Sequence, residues 1–350
     1  KYNYSLYTSV GRLRRENGIF FDEKEGLVSV VHNSGSVSRF FADGKQSMKE
    51  APKVPQKLPG TFWGITTFFN PAGYKNKIEN YKRFRESSKK QGLKLLTVEL
   101  AFGKKEFELK QEDADILIQI RAKDKMWQKE RLLNVGLENL PKDCDKFAWL
   151  DADILFLNDN WVKETAELLN DYAVVQPFST YIRLPQGIKE MGLSQYEKTA
   201  FSDALDNDEK KICGVAYKVS QFGKRILQRG TRYYGQVGLA WAARREIFEG
   251  CGLFDKTVFP CADLFMAHVF SGNGVENPEC RYYLNWHMVQ SLKEWAKQIY
   301  PKIKGSIYYV DGGILHLWHG NLKDRNCDDY RRTMQKHVFN ANTDIVKGKN

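Results

Sequence analysis

The chain reads as an α/β protein, a mixed and mainly parallel sheet flanked by helices, with a small β-rich appendage at the N-terminus. Three observations predict this. From Thr61 onward, strand-like and helix-like segments alternate, the order that builds a parallel-type sheet. A continuous apolar run, opening at Phe147, ends in two carboxylates, Asp151 and Asp153, as a buried strand does where it meets a ligand crevice. Residues 1–58 differ, with short β-like runs separated by turn residues.

The elements follow in order. IFF at 19–21, LVSVV at 27–31 and SRFF at 38–41 are β-like, and breaks such as Asn33-Ser34-Gly35 and Asp43-Gly44 suggest hairpins. Pro52, Pro55 and Pro59 mark 51–59 as a linker, so 1–58 form the appendage and 59–350 the main domain. There, 62–69 is an apolar strand ending at Asn70-Pro71. Ile78 to Gln91 has helical spacing, and Gly92 stops it. Strands are expected over 93–102 and 116–120. A helix carrying Trp127, Leu132, Leu133 and Leu137 runs from Met126 to Leu140 and ends at Pro141. After the strand to Asp151, Trp161 to Leu169 is helical and 173–178 returns as a strand. The polar stretch 181–234 suits a lid or acceptor-binding insertion. Residues 238–248 read as strand into helix, 261–270 as a helix opening with an acid, and 308–320 as an apolar strand ending in two histidines.

Composition narrows the class. An apolar fraction of 42% over 350 residues supports a large core. The formal charge of +11 biases the surface towards anions such as nucleotide phosphates, nucleic acid or an acidic membrane surface. The six cysteines form no C-x-x-C pair, which argues against a zinc ribbon, and we expect them reduced. No apolar stretch is long enough to span a bilayer, so the expected location is cytoplasmic, or host cytoplasm for a viral protein. The start at Lys1 rather than Met is compatible with a removed leader or anchor.

A buried strand seldom ends in two acids without a cation, because an unpaired buried carboxylate costs several kcal/mol or protonates. Hard oxygen ligands suit Mg²⁺ or Mn²⁺, ions that usually also hold substrate phosphates. Four segments stand out in order: Thr66, Thr67 and Asn70; Lys129, Glu130, Arg131 and Asn134; Asp151 and Asp153; and His316 to Lys323.

In these segments the chain resembles the nucleotide-sugar glycosyltransferases of the GT-A fold, over roughly Thr61 to the C-terminus. Asp151-Ala152-Asp153 looks like the family's D-x-D, and Asn134-Val135-Gly136 like the N-x-G on the preceding helix. GLAWAARREIFEGCGLFD resembles the later Gly-rich strand, helix and G-x-F-D turn, and PCADLFMAHVF the helix that opens on an acid. HLWHGNLKDRN resembles the late histidine segment of several branches, its HLWHG ending being similar to virus, phage and bacterial members.

The resemblance implies a metal-dependent transferase that moves a sugar from a nucleoside-diphosphate donor, UDP foremost, to an acceptor hydroxyl. Asp153, and Asp151 directly or through water, would hold Mn²⁺ or Mg²⁺. His316 is the expected third ligand, with His319 as the alternative ligand or a phosphate contact. Lys323 and Arg325 would meet the diphosphate. Thr67 and Asn70 would meet the nucleoside, and Asp115 the base or ribose. Of Lys129 and Arg131, which do not share a helix face, Arg131 with Asn134 is favoured to reach the donor, and Lys129 is left as a solvated charge. Asp263 is the candidate base of an inverting reaction, although some inverting members carry two adjacent acids where this chain has Ala262-Asp263. Gly238, Ala240 and Trp241 would line the acceptor side. The acceptor is a glycan, a protein side chain or a hydroxymethylated DNA base. A non-catalytic nucleotide- or carbohydrate-binding protein is the competing class.

Overall fold

The computed structural model describes residues 5–6, 18–22, 27–31, 37–41, 51–199, 211–229, 234–275, 283–320, 332–333 and 336–345. The chain divides into two compact units, Lys1–Lys49 and Glu50–Asn350.

In the smaller unit, β1 (Ser5–Leu6), β2 (Gly18–Asp22), β3 (Leu27–Val31) and β4 (Val37–Phe41) form one sheet in that order. The last three pair antiparallel, with Phe20 opposite Ser29 and Val28 opposite Phe40, and cover the three runs read as β-like.

The larger unit is built on a seven-stranded sheet. Its parallel heart is β5 (Thr61–Phe69), β6 (Lys94–Phe102), β7 (Ile116–Ala122) and β8 (Cys144–Leu150). β5, β6 and β8 are apolar and nearly continuous because both faces are covered, whereas β7, at the edge of the sheet, is partly exposed. A second sheet, of four strands, begins with β9 (Ile154–Phe156), which leaves the main one. The main sheet is completed by β10 (Val174–Gln176), and β11 (Thr180–Arg183) and β12 (Ile212–Cys213) join the second. Next, β13 (Ala240–Arg244) and β14 (Ile307–Tyr309) belong to the main sheet, and β15 (Gly313–His316) to the second. The main order is β14-β10-β13-β8-β5-β6-β7, with only β13 antiparallel to its neighbours, and the second is β12-β11-β15-β9.

Helix α1 (Lys75–Lys90) packs on one face, where Tyr81 meets Phe68 edge-on at 5.4 Å. Helix α2 (Lys129–Glu138) packs on the other, because alternate strand residues face opposite sides. There a Cβ on Gly136 would lie 2.5 Å from the Ile65 side chain, so only glycine allows this close approach. α3 (Trp161–Leu168) stacks Trp161 on Phe156 at 3.9 Å. α4 (Leu193–Lys198) and α5 (Val215–Phe222) lie in the stretch read as an insertion, which also supplies β11 and β12. α6 (Arg245–Phe248), α7 (Ala262–Phe270) and α8 (Trp286–Ile303) cover the α2 face around Trp149, and α9 (Ala341–Asp344) is a short late turn. Among the described residues, no helix is long and apolar enough to cross a membrane.

Three expectations change. The apolar run through Asp151 is two strands: β8 ends at Leu150, and the chain crosses to the second sheet as β9. The run over 308–320 splits likewise at Asp311-Gly312 into β14 and β15. Periodicity cannot tell one buried strand from two joined by a tight crossing. Residues 51–58, read as a linker, are fastened to the larger unit. Val54 N donates to Asp171 O, Gln56 N to Asn170 O, and Arg244 and Lys146 donate to the carbonyls of Val54 and Leu58.

Candidate functional site

The site gathers where both sheets present the crossing between β8 and β9. Asp153 immediately precedes β9, and β9 pairs antiparallel with β15, His316 opposite Ile154. Leu317 N donates to Asp153 O at 2.8 Å, which fixes the histidine segment against the acid. Asp153 Oδ1 is then 3.5 Å from His316 Nε2, and Oδ2 is 3.5 Å from His319 Nε2. The second histidine is oriented from α1: Asn76 and Asn80 both donate to the carbonyl of Trp318, between the two rings.

One ligand atom from each of Asp153, His316 and His319 lies within 4.8 Å of the others. Ligands about 2.1 Å from a shared ion stand about 3.0–3.4 Å apart, and the two acid–histidine distances of 3.5 Å are already close to that spacing. The trio can hold a divalent cation, and its two imidazoles favour Mn²⁺ over Mg²⁺.

Asp151 has a different partner. Its carboxylate accepts from Lys129 Nζ at 2.5 Å, and the same ammonium lies 3.3 Å from Asp263 Oδ2. One lysine on the first turn of α2 therefore joins the acid at the end of β8 to the acid on the first turn of α7. Burial pushes the Asp151 carboxyl above its ordinary value, against the pull of Lys129. Burial alone would lower the Lys129 ammonium, but Asp151, Asp263 and Glu130 outweigh it and hold the group charged. Beside it, Glu130 is buried and receives the Trp127 Nε1 hydrogen bond, and burial pushes its carboxyl up to about 8.

The segment before β13 closes the other side. Asp151 N donates to Leu239 O, and Leu239 adopts φ of 75°, a strained conformation for a branched side chain. A Cβ on Gly238 would sit 3.1 Å from Asp263 Oδ2, so Gly238 faces that carboxylate. Thr66 donates to Leu150 O, and Thr67 stands one residue further, level with Asp151 at the carboxyl edge.

The structure thus brings together Asp151, Asp153, His316, His319, Asp263, Gly238 and Thr67. Other expected site residues are committed elsewhere. Asn70 braces its own turn: its side chain accepts from Tyr74 N and donates to Tyr74 O and Glu108. Asp115 stands at the opposite end of its strand, level with Ala148 through the register, and three strands from Asp151. At about 4.8 Å per strand that is roughly 14 Å across the sheet. It accepts from Leu95 N and pairs with Arg85 at 3.0 Å; burial would raise its carboxyl, but these two contacts hold it below its usual value.

Arg131 is half-exposed and pairs with Asp255 at 3.6 Å. Asn134 is buried and ties the 252–255 turn, accepting from Leu253 N and donating to Leu253 O and Asp255. Gly252, at φ of 64°, lets that turn close on it. Trp241 is a core residue: it stacks on Trp149 at 6.4 Å and donates to Val237 O. Lys323 and Arg325 lie outside the described residues.

Lys129 is the residue that sequence reasoning set aside. A usable signal existed: Lys129 shares its helix stripe with Leu132, Leu133 and Gly136, so it had to be buried and paired. Lys77, on the first turn of α1, was missed altogether.

No protein-family model and no curated protein matches the sequence. Solved structures with limited similarity exist. S. aureus TarS 1-349 in complex with UDP-GlcNAc is 11% identical, covers 75% of this chain and 59% of its own, and has a TM-score of 0.37. This chain thus spans about three-fifths of the TarS chain. A mutant of Drosophila beta-1,4-galactosyltransferase 7 in complex with manganese, UDP-Gal and xylobiose is 15% identical, covers 82% and 86%, and scores 0.31. A putative glucose-1-phosphate thymidylyltransferase from Bacillus anthracis is 10% identical, covers 83% and 98%, and scores 0.34.

Proposed function

We propose that the protein is a metal-dependent glycosyltransferase that moves a sugar from a nucleoside diphosphate, UDP foremost, to an acceptor hydroxyl with inversion. The observation that carries this reading is the Asp153, His316 and His319 trio beside the carboxylates of Asp151 and Asp263, at the carboxyl edge of a mainly parallel sheet.

In this reading Asp153, His316 and His319 hold Mn²⁺, which when bound supplies Lewis-acid stabilisation of the diphosphate leaving group. Asp263 is the base. Lys129 holds its Oδ2, which leaves Oδ1 for the acceptor hydroxyl. As the acceptor oxygen bonds to the anomeric carbon, its proton passes to Asp263. The bond from that carbon to the phosphate oxygen breaks, and its electron pair leaves with the diphosphate. Asp151, neutralised by Lys129, is placed to accept hydrogen bonds from ribose or sugar hydroxyls. Gly238 keeps side chains away from the base.

The test is a panel of nucleotide sugars with Mn²⁺, Mg²⁺ and Zn²⁺, read by thermal shift and donor hydrolysis. We expect one nucleotide with Mn²⁺ to stabilise the protein, and Asp153→Ala to abolish the effect. No stabilisation by any nucleotide with any metal would overturn the reading. A hydroxymethylated DNA base is the second acceptor reading, favoured by the formal charge of +11. Salt-sensitive retention on duplex DNA supports it, and absence of retention at low salt opposes it.

A further inference from the structure

Lys77 takes part in neither the trio nor the Lys129 bridge. Lys77 projects from α1 over the carboxyl end of β5. Its ammonium donates to Phe69 O at 3.0 Å and stands 4.8 Å above the Phe69 ring. The carbonyl and the aromatic face seat the cation from one side.

The charged groups that face it are Asp153 and Asp151, from the crossing between β8 and β9, and Glu108, from the loop after β6. Burial lowers its pKa against the pull of these three acids. Among the described residues, none of these carboxylates is within 4 Å of the ammonium, in contrast with Lys129, which meets two. An ammonium has three N–H donors, and Phe69 O takes one. The neighbouring turn of the same helix carries Asn76 and Asn80, which hold the backbone between His316 and His319. Lys77 is therefore fixed to the same frame as the metal ligands.

Charge balance says what such a lysine is for. Asp151, Asp153, Asp263 and Glu108 carry four negative charges and Lys129 with a divalent ion three positive ones, so Lys77 brings the site to neutrality and removes the excess that would repel a diphosphate. A nucleoside-diphosphate sugar carries two negative charges, and the departing diphosphate gains a third. Lys77 is placed to meet that charge without giving up a proton.

We propose that Lys77 binds the diphosphate of the donor, with its two remaining N–H groups directed at phosphate oxygens. This rests on the transferase reading above and assigns a residue to its leaving group. Arginine would not replace it fully, because its longer, planar guanidinium does not put a compact ammonium with three rotatable donors at Phe69 O.

The experiment measures binding of UDP and of uridine to the full chain with Mn²⁺, by calorimetry, for the wild type, Lys77→Met and Lys77→Arg. A charge-assisted hydrogen bond at a desolvated site predicts a tenfold to hundredfold weaker UDP affinity for Lys77→Met. Uridine affinity stays within twofold, and Lys77→Arg falls between the other two. Should Lys77→Met not fold, Lys77→Gln carries the same expectation. UDP binding within threefold of wild type overturns the assignment, and so does an equal loss of UDP and uridine. A wild type that binds no UDP is a separate result, which removes the transferase reading together with Lys77.

Discussion

Replacing Lys129 by methionine removes the cation that bridges Asp151 and Asp263 at 2.5 and 3.3 Å, while keeping the length of the side chain. Asp151 and Asp263 then lose the cation in direct contact with both. Breaking a buried ion pair costs about 3–5 kcal/mol. Asp151 and Asp263 keep 28% and 20% of their side chains exposed, so water offsets part of this. We expect a loss of about 2–3 kcal/mol at pH 8, with metal chelated. With a urea slope of about 3 kcal/mol per molar, the unfolding midpoint falls by about 1 M. All eight tryptophans lie beyond residue 60, so tryptophan fluorescence reports the larger unit alone.

The pH dependence supplies the sharper check. The Asp151 carboxyl already sits above its ordinary value, and losing Lys129 raises it further. The penalty for a raised carboxyl is full above its folded pKa, shrinks as pH falls below that value, and vanishes below the unfolded pKa. The deficit of Lys129→Met therefore shrinks as pH falls from 8 towards 5, and Lys129→Met with Asp151→Asn recovers most of the loss at pH 8. A single variant as stable as wild type at pH 8, or a deficit equal at pH 5 and pH 8, would refute the bridge as an energetic feature.

Four further outcomes follow from the site. Glu130, pushed up to about 8, costs stability as it ionises, so wild-type stability declines from about pH 5 through pH 8 and Glu130→Gln flattens that decline; parallel urea profiles for the two would contradict it. His319→Ala lowers Mn²⁺ affinity about tenfold to hundredfold by calorimetry and leaves the metal-free melting temperature unchanged, whereas Asp151→Asn has a smaller effect on Mn²⁺. Asp263→Asn reduces kcat by about 10²- to 10⁴-fold with UDP affinity intact, and a drop confined to KM would place it in binding instead. Trp241→Ala costs about 3–5 kcal/mol of stability and leaves the UDP affinity of the folded fraction at the wild-type value; lost affinity without lost stability would return it to the acceptor side.

Much of the fold could be read from local pattern. β5 to β8 are apolar runs of strand length bounded by turn residues, and the strand-helix order made the sheet mainly parallel. The sheet crossings at Asp151–Asp153 and Asp311–Gly312 were not legible, because a buried run has the same periodicity whichever sheet it joins. Asp115 illustrates the limit for sites. As an acid beside a strand it looked like a ligand-facing group, but it precedes β7 at the amino end, and the register sets it three strands from Asp151.

From the amino-acid sequence alone came the α/β class, the acid pair at the carboxyl end of a buried strand, and His316, His319 and Asp263 as groups worth locating. These are statements about residue type, order and spacing, which local chemistry controls. Tertiary structure decided the partners. It gave Asp151 to Lys129 and grouped Asp153 with both histidines, spent Asn134 on a turn 119 residues away, and sank Trp241 into the core. Those choices depend on which face of each helix and strand meets its neighbour, and long-range packing and register set that.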